Sequence, residues 1–255
     1  MRARCLLYYI TDRRAFPGDE AARRRRLLEK IAEAVRAGVD YIQLREKDLP
    51  ARELESLARE AMSLIAQLRS EGRGAGTAVL INSRVDIALA VGADGVHLRS
   101  DDISPQEVRA IWRKKHAGTT DVGGLAPCTA APIVASLNAE GAGKPSAKEP
   151  QIGVSCHSPE EVAQAAVNGA SVAVFAPVFE KMTRETRYAP ETHPAGLAML
   201  KRTCRVDISV LALGGVTLSN ACSCLEAGAA GIAGIRLFQE NEVGKVAETL
   251  RKLAG

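Results

Sequence analysis

The stretch Ala37-Gly-Val-Asp-Tyr-Ile-Gln-Leu-Arg-Glu-Lys47 joins the end of a predicted helix to a predicted buried strand that ends in polar residues. Glycine just past a helix end accepts the left-handed backbone conformation that other residues resist. The chain repeats this helix, glycine and strand arrangement further along, which predicts a series of similar structural units. The other instances are Val91-Gly92, Asn168-Gly169 and Ala227-Gly228.

Short apolar runs bounded by turn residues predict about eight strands. Helical periodicity follows nearly every run, and alternating strands and helices indicate a parallel sheet. No Gly-x-Gly-x-x-Gly motif follows the first strand, so a single α/β domain over 1–255, a (β/α)8 TIM barrel, fits better than a doubly wound sheet. The predicted strands are Cys5–Thr11, Tyr41–Arg45, Val79–Asn82, Gly95–Leu98, Ile152–Ser155, Val172–Pro177, Ser209–Leu213 and Gly231–Ile235.

Two features of the sequence indicate where helices begin and where regular structure is interrupted. Ser104-Pro105 and Ser158-Pro159 each offer a capping serine and a proline at the first helical position, with a glutamate two residues after the proline. Residues 116–150 are instead rich in Gly, Ala, Pro, Ser and Thr without sustained periodicity. We therefore expect an irregular insertion there, between the fourth helix and the fifth strand.

The composition excludes several classes of protein. The 255 residues are 46% hydrophobic and 25% charged, which is typical of a globular domain, and the net charge of +4 is too small to indicate nucleic-acid binding. No apolar run approaches the roughly 20 residues of a membrane helix. The six cysteines contain no Cys-x-x-Cys pair, so reduced thiols in a cytoplasmic protein are expected. A homo-oligomer is compatible with the sequence.

Gln43, Arg45 and Lys47 form a candidate anion-binding ladder. Side chains alternate between the two faces of a strand, so these three residues are predicted to point the same way. If that face looks into a barrel, an amide and two cations make a site for an anion such as pyrophosphate. If it faces water, the same residues form an ordinary strand end.

The carboxyl ends of the barrel strands form the catalytic mouth of a TIM barrel. Polar residues at those predicted ends carry an excess of positive charge, which indicates a phosphorylated or pyrophosphorylated ligand. For the Gly214-Gly215 pair, phosphate binding through backbone N–H groups and simple turn chemistry are both open. The candidate residues are Gln43, Arg45, Lys47, Asn82, Ser83, Arg99, Asp102, Ser155, His157, Lys181, Thr183, Arg184, Gly215 and Arg236.

Cys156 and His157 are adjacent, but a nucleophile–base pair fails on geometry because neighbouring strand residues point to opposite sides. His157 alone is interpreted as a supporting loop residue, with proton transfer as the alternative. His97 lies in the middle of a predicted strand and is expected to pack inside the barrel.

Several ordered motifs together resemble the thiamine-phosphate synthase and thiazole tautomerase (TenI-like) superfamily. The resemblance covers nearly the whole chain apart from about 116–150, and it implies a phosphate-binding (β/α)8 barrel, in agreement with the strand pattern. The matching motifs are Tyr8–Asp12, Gln43–Lys47, Ile81–Leu89, Ala93–Leu98, Ile152–Ser158, Pro177–Phe179 and Leu213–Gly215.

The resemblance implies a transferase that couples an aminopyrimidine-methyl pyrophosphate to a thiazole phosphate and releases pyrophosphate. Such chemistry needs cations and Mg²⁺ on the leaving group rather than a strong base. By position it implies that Asp102 binds Mg²⁺, with Ser83 at the second metal position. It implies catalytic or pyrophosphate-binding roles for Arg45, Lys47 and Arg184, and substrate contacts for Gln43, Asn82, Ser155, Lys181, Thr183, Gly215, Ile235 and Arg236.

The chain departs from the superfamily pattern where charge matters most. Ser83 stands in place of an acidic metal ligand, and a hydroxyl is a poorer partner for Mg²⁺ than a carboxylate. Added cations at Arg99, Lys181 and Arg236 then either replace part of the role of the metal or mark a phosphate pocket that has lost turnover. We expect a thiamine-phosphate synthase; the alternatives are a thiazole tautomerase using His157 and a non-catalytic phosphate-binding barrel.

Overall fold

The computed structural model describes residues 4–117, 149–180 and 194–254. Eight parallel strands close into a barrel in which each strand pairs with the next along the chain and the last pairs with the first. The predicted (β/α)8 barrel is therefore confirmed. The strands are β1 (Leu6–Ile10), β2 (Tyr41–Leu44), β3 (Ala78–Asn82), β4 (Gly95–Leu98), β5 (Gln151–Cys156), β6 (Val172–Phe175), β7 (Val210–Ala212) and β8 (Gly231–Gly234).

Helices separate the strands and cover the outside of the barrel. None of those within the described ranges combines the length and apolar character that crossing a membrane requires. A short 3₁₀ turn over Arg13–Ala15 precedes the first helix. The helices are α1 (Glu20–Arg36), α2 (Ala51–Ser70), α3 (Val85–Val91), α4 (Pro105–Ala117), α5 (Pro159–Val167), α6 (Gly196–Thr203), α7 (Ala221–Glu226), α8 (Arg236–Gln239) and α9 (Val243–Ala254).

The turns predicted from the repeated glycines are present. The glycine of each helix-to-strand unit has a positive φ, which only glycine adopts without strain. Ser104 and Glu107 exchange hydrogen bonds at the start of α4, and Ser158 accepts a hydrogen bond of 3.1 Å from the Glu161 backbone N–H at the start of α5. The local signals therefore set where these helices begin and end.

Two hydrophobic cores hold the barrel. The larger lies between the outer faces of the strands and the surrounding helices. The smaller fills the lumen with Tyr8, Ile10, Leu80, Val172, Val174, Leu211 and Ala233. Because the lumen is packed with apolar side chains, space for a polar ligand lies at its carboxyl end, where the strands give way to the βα loops.

The predicted insertion at 116–150 falls almost entirely outside the described residues. Helix α4 ends at Ala117 and strand β5 begins at Gln151, so the segment joins those two elements. The end of α4 and the start of β5 lie at the amino-terminal face of the barrel, opposite the carboxyl ends of the strands.

Candidate functional site

A chain of hydrogen bonds crosses from β2 to the loop after β4. Gln43 Nε2 donates to Asn82 Oδ1 at 2.7 Å, and Asn82 Nδ2 donates to Ser83 Oγ at 3.2 Å. Ser83 Oγ then donates to Asp102 Oδ2 at 2.7 Å. The structure thus brings together four residues that were predicted separately at the ends of β2, β3 and β4.

Gln43 lies inside the barrel. It pairs in register with Ile10 on one side and Leu80 on the other, both members of the lumen core. Its side chain is 2% exposed, and its Oε1 is buried without a hydrogen-bond partner in the described structure. An orphaned acceptor of this kind costs roughly 1–3 kcal/mol unless a ligand or water supplies a donor.

Asp102 carries the negative charge of this site. Burial alone would raise the pKa of its carboxyl group, but hydrogen bonds from Ser83 Oγ and from the Arg99 backbone N–H outweigh burial and hold the pKa below its usual range. Within the described ranges, Asp102 Oδ1 has one ion-pair contact, with Arg99 Nε at 3.5 Å. The carboxylate is therefore ionised and keeps one oxygen outside the hydrogen-bond chain.

The oxygen atoms of Asp102 and Ser83 would suit a magnesium ion that also binds a phosphate group of a substrate. No group of three or more His, Cys, Asp or Glu side chains suited to a metal occurs in the part of the chain that the structure describes. Mg²⁺ commonly binds through one or two carboxylates, with substrate phosphate oxygens and water completing its octahedron. Asp102 Oδ1 can supply the single carboxylate contact, whereas Ser83 already donates its proton to Asp102.

A second hydrogen-bonded group spans the lumen. Tyr8 Oη lies 2.6 Å from His97 Nδ1, and His97 Nε2 lies 2.8 Å from Ser155 Oγ. Gly153 makes this arrangement possible, because a Cβ at that position would lie 2.7 Å from His97 Nδ1 and 3.2 Å from the Tyr8 oxygen. The prediction that His97 packs inside the barrel is confirmed, and Ser155 is the predicted site residue that contacts it.

His97 is a neutral imidazole in the folded protein. Complete burial, followed by the nearby charge of Arg45, lowers its pKa to about 3. In the unfolded chain the side chain of His97 takes up a proton near pH 6.5. Because the folded protein does not bind this proton until a much lower pH, a fall in pH below 6.5 lowers the free energy of unfolding. His97 therefore acts as a hydrogen-bonding group of the lumen and not as a cation at neutral pH.

This titration predicts an acid-labile fold. Between pH 6.5 and 4.5, His97 should remove up to about 1.4 kcal/mol of unfolding free energy per pH unit. The variant His97→Gln should show a correspondingly flatter dependence in urea unfolding measured at several pH values. Gln106→Ala, at an exposed residue of α4 that does not titrate, is the control and should keep the wild-type slope. Equal slopes for wild type and His97→Gln would contradict the assignment.

Arg45 is a half-buried cation at the rim of the lumen. Its charge acts on His97, and burial lowers the pKa of its own guanidinium, although arginine stays charged at neutral pH. Its side chain has no hydrogen-bond or ion-pair partner within the described ranges. A cation held in this way, partly removed from water, is suited to receive an anionic ligand.

A buried carboxylate fixes the backbone beside Arg45. Glu46 accepts hydrogen bonds from Thr11 Oγ1 at 2.6 Å, from Arg13 N at 2.9 Å and from Arg13 Nη1 at 3.3 Å. Thr11 Oγ1 in turn accepts a hydrogen bond of 2.9 Å from the Arg45 backbone N–H. The ends of β1 and β2 are thereby tied together directly behind the ladder.

Arg13 is the hub of this network. Its guanidinium makes a two-pronged contact with Asp48 at 2.7 and 2.9 Å and a contact with Glu20 at 2.6 Å. The side chains of Arg13 and Glu46 are 4% and 1% exposed. Burial raises the pKa of Glu46, and its hydrogen bonds offset part of that rise. The sequence alone does not reveal this network, because Arg13 and Glu46 lie far apart along the chain.

The ladder differs from its prediction at one end. Strand β2 ends at Leu44, so strand alternation sets the direction of Gln43 but does not extend to Lys47. Lys47 lies in the following turn and is exposed. Arg45 also lies after the strand, but its charge acts on the lumen residue His97, so Gln43 and Arg45 both face the lumen end while Lys47 lies beyond them in the loop.

The glycines after β7 are explained by close packing. A Cβ on Gly214 would lie 2.7 Å from Pro177 Cα, and one on Gly215 would lie 2.4 Å from the Glu180 carbonyl oxygen. Both glycines also have positive φ values, 93° and 63°. The turn interpretation therefore accounts for both residues, and phosphate binding by their N–H groups stays a prediction.

The other predicted site residues that the structure describes lie around the mouth. His157 is exposed, and its Nδ1 contacts the Ala176 carbonyl oxygen at 2.7 Å, which holds the loop after β5 against the end of β6. Ile235 packs against the lumen core, and Arg236 begins α8 with an exposed side chain. Lys181, Thr183 and Arg184 lie outside the described residues.

Known proteins match this barrel over most of its length. A family model described as thiamine monophosphate synthase matches residues 7–121 and 135–238. Thiamine-phosphate synthase of Roseiflexus castenholzii is 34% identical over 90% of this chain and 79% of its own length, and that of Syntrophomonas wolfei is 32% identical over 97% and 95%. The solved thiamine phosphate pyrophosphorylase from Pyrococcus furiosus superposes with a TM-score of 0.66 at 28% identity, over 98% of this chain and 95% of that structure. The chain therefore belongs to the thiamine monophosphate synthase family.

Proposed function

We propose that this protein is a thiamine-phosphate synthase, which joins an aminopyrimidine-methyl pyrophosphate to a thiazole phosphate and releases pyrophosphate. The observation that carries the proposal is a buried, unpartnered acceptor on β2, Gln43 Oε1, together with the half-buried cation of Arg45 directly after that strand. An amino group of the pyrimidine satisfies the acceptor, while the pyrophosphate neutralises the cation. The family match favours this activity over the tautomerase and non-catalytic alternatives.

The reaction needs stabilisation of a leaving group. The bond between the pyrimidine methylene carbon and the pyrophosphate oxygen breaks, and its electron pair leaves with the pyrophosphate. The thiazole nitrogen then donates its lone pair to the methylene cation, which forms the new C–N bond. Arg45, Lys47 and Arg184 would hold the departing pyrophosphate, because fixed cations act most strongly where negative charge develops.

The remaining predicted residues would complete the two substrate subsites. Gln43, Asn82 and Ser155 would contact the pyrimidine part, and Mg²⁺ bound by Asp102 would neutralise further charge on the pyrophosphate. The other predicted residues would line the phosphate ends of the substrates, and they are Lys181, Thr183, Gly215, Ile235 and Arg236. Cys5, Cys156, Cys204 and Cys224 are reduced thiols, which supports a cytoplasmic location.

Genetic complementation tests the activity in a cell. Expression of the full chain in a bacterium that lacks its own thiamine-phosphate synthase should restore growth without added thiamine. Arg45→Gln should restore it poorly at equal protein level. Absence of growth, with the wild-type chain present and folded, would contradict the proposal.

A carboxylate at position 83 should strengthen magnesium binding. Ser83 has a φ of 55°, a conformation that Asp and Asn tolerate better than most residues, so Ser83→Asp should fold normally. The added charge should raise the affinity for Mg²⁺ in the presence of pyrophosphate about tenfold, which corresponds to ~1.4 kcal/mol. Calorimetric titration measures this affinity directly. Ser83→Asn is the control of similar size without the charge, and an equal gain in both variants would contradict the expectation.

A further inference from the structure

The hydrogen-bond chain from Asp102 to Gln43 has a fixed direction. An ionised carboxylate only accepts hydrogen bonds, and Asp102 Oδ2 takes one from the Arg99 backbone N–H at 2.8 Å and one from Ser83 Oγ at 2.7 Å. Ser83 has a single hydroxyl proton, which it gives to Asp102. It can therefore only accept from its other neighbour.

That neighbour is Asn82, and the constraint passes on to the next amide. Asn82 must turn its Nδ2 towards Ser83, which leaves its Oδ1 to accept from Gln43 Nε2 at 2.7 Å. Gln43 consequently leaves its Oε1 unpartnered among the side chains of the lumen. In the reverse orientation Asn82 Oδ1 would face Ser83 Oγ, an oxygen that has no second proton to donate.

We propose that Asp102, acting through Ser83 and Asn82, orients the Gln43 amide so that the site selects a pyrimidine bearing an exocyclic amino group over one bearing an oxo group. The proposal rests on the proposed function and deepens it. Asp102 and Ser83 are positioning residues in this role, because they act through Gln43. Selectivity follows from the polarity of a hydrogen-bond chain whose direction is set at the mouth of the barrel.

The amino and oxo groups differ in whether they can donate a hydrogen bond to the oriented Gln43 amide. An amino group donates a hydrogen bond to Gln43 Oε1, whereas an oxo group places a second acceptor against it. Burying an acceptor without a donor costs roughly 1–3 kcal/mol, which corresponds to about 5- to 150-fold in affinity. The wild-type protein should therefore prefer the amino form by about that ratio.

Removing the Ser83 hydroxyl should abolish the preference for the amino form of the pyrimidine. Ser83→Gly removes the group without strain at a φ of 55°, and Asn82 can then turn either way. The ratio of dissociation constants for the oxo and amino pyrophosphates should fall to within about threefold of one, because both amide orientations become available. In Asp102→Asn, the side chain at position 102 can donate a hydrogen bond as well as accept one. This variant should therefore also bring the ratio of dissociation constants towards one.

Ser83→Asp is the matched control. Its carboxylate accepts from Asn82 Nδ2 as the serine does, so the wild-type preference for the amino form should be kept. Binding is measured by calorimetry with the aminopyrimidine-methyl pyrophosphate and its oxo analogue, in EDTA and without thiazole phosphate. Magnesium and turnover therefore do not enter the result.

Three outcomes would overturn the orientation proposal: no preference in the wild type, an unchanged preference in Ser83→Gly and Asp102→Asn, or a lost preference in Ser83→Asp. The proposed function fails separately, if the wild type forms no thiamine phosphate from both substrates with Mg²⁺. A protein that shows the expected preferences but no turnover would retain the oriented amide and lose the synthase assignment.

Discussion

Replacing Arg45 with glutamine is expected to lower kcat/KM for thiamine phosphate formation by about 10²–10³, the usual cost of removing one group aimed at developing negative charge. Arg45 is half-buried, and its side chain has no hydrogen-bond or ion-pair partner in the described ranges. The loss should therefore come from ligand binding and leaving-group stabilisation and not from a broken internal contact. Steady-state kinetics with varied aminopyrimidine-methyl pyrophosphate measure it.

Two variants separate this effect from a general loss of charge. Arg45→Lys keeps the charge but loses the planar donor geometry, so its activity should lie between the wild type and Arg45→Gln. Arg25→Gln removes an exposed charge from the outer surface of α1 and should leave kcat/KM unchanged. Activity of Arg45→Gln within about threefold of wild type would show that the guanidinium does not act on the leaving group.

Replacing Arg13 with methionine is expected to cost about 3–5 kcal/mol of unfolding free energy, because it leaves the buried Glu46 carboxylate without its ion partner. The 1% exposure of the Glu46 side chain makes rehydration of this charge difficult. The carboxylate should respond by taking up a proton, so its pKa, already raised by burial, should rise further. The stability deficit of the variant should therefore shrink as the pH falls from 8 to 5.

Urea unfolding at several pH values measures this deficit. Arg14→Met, at an exposed neighbour in the same 3₁₀ turn, should stay within about 0.5 kcal/mol of wild type. The double variant Arg13→Met with Glu46→Leu should recover part of the loss, because it removes the buried charge together with its partner. A deficit of Arg13→Met that matches Arg14→Met at every pH would show that the network does not stabilise the fold.

The architecture followed from local signals. Glycines at the helix ends and short apolar runs located all eight strands, since these features act within a few residues of each other. Strand ends then indicated which residues would meet at the mouth. The same logic failed for Lys47, because the strand stops at Leu44 and a turn, not strand alternation, directs the residues that follow.

The parts of the site that depend on contacts between distant residues could be identified only from the structure. The Tyr8–His97 contact depends on the space left by Gly153 on a third strand, which no spacing within one strand reveals. The buried Arg13–Glu46 pair depends on two strand ends meeting in the closed barrel. The orientation of the Gln43 amide is set at Asp102, three hydrogen bonds away. The residue type therefore identified a polar group, but it did not show whether the amide oxygen or the amide nitrogen faces the ligand.

The complete reaction with the purified wild-type chain tests the synthase assignment most directly. Aminopyrimidine-methyl pyrophosphate and thiazole phosphate are supplied with and without Mg²⁺, and thiamine phosphate and pyrophosphate are both quantified. The synthase assignment predicts that the two products form in equal amounts, with faster formation when Mg²⁺ is present. Absence of thiamine phosphate under both conditions would contradict it.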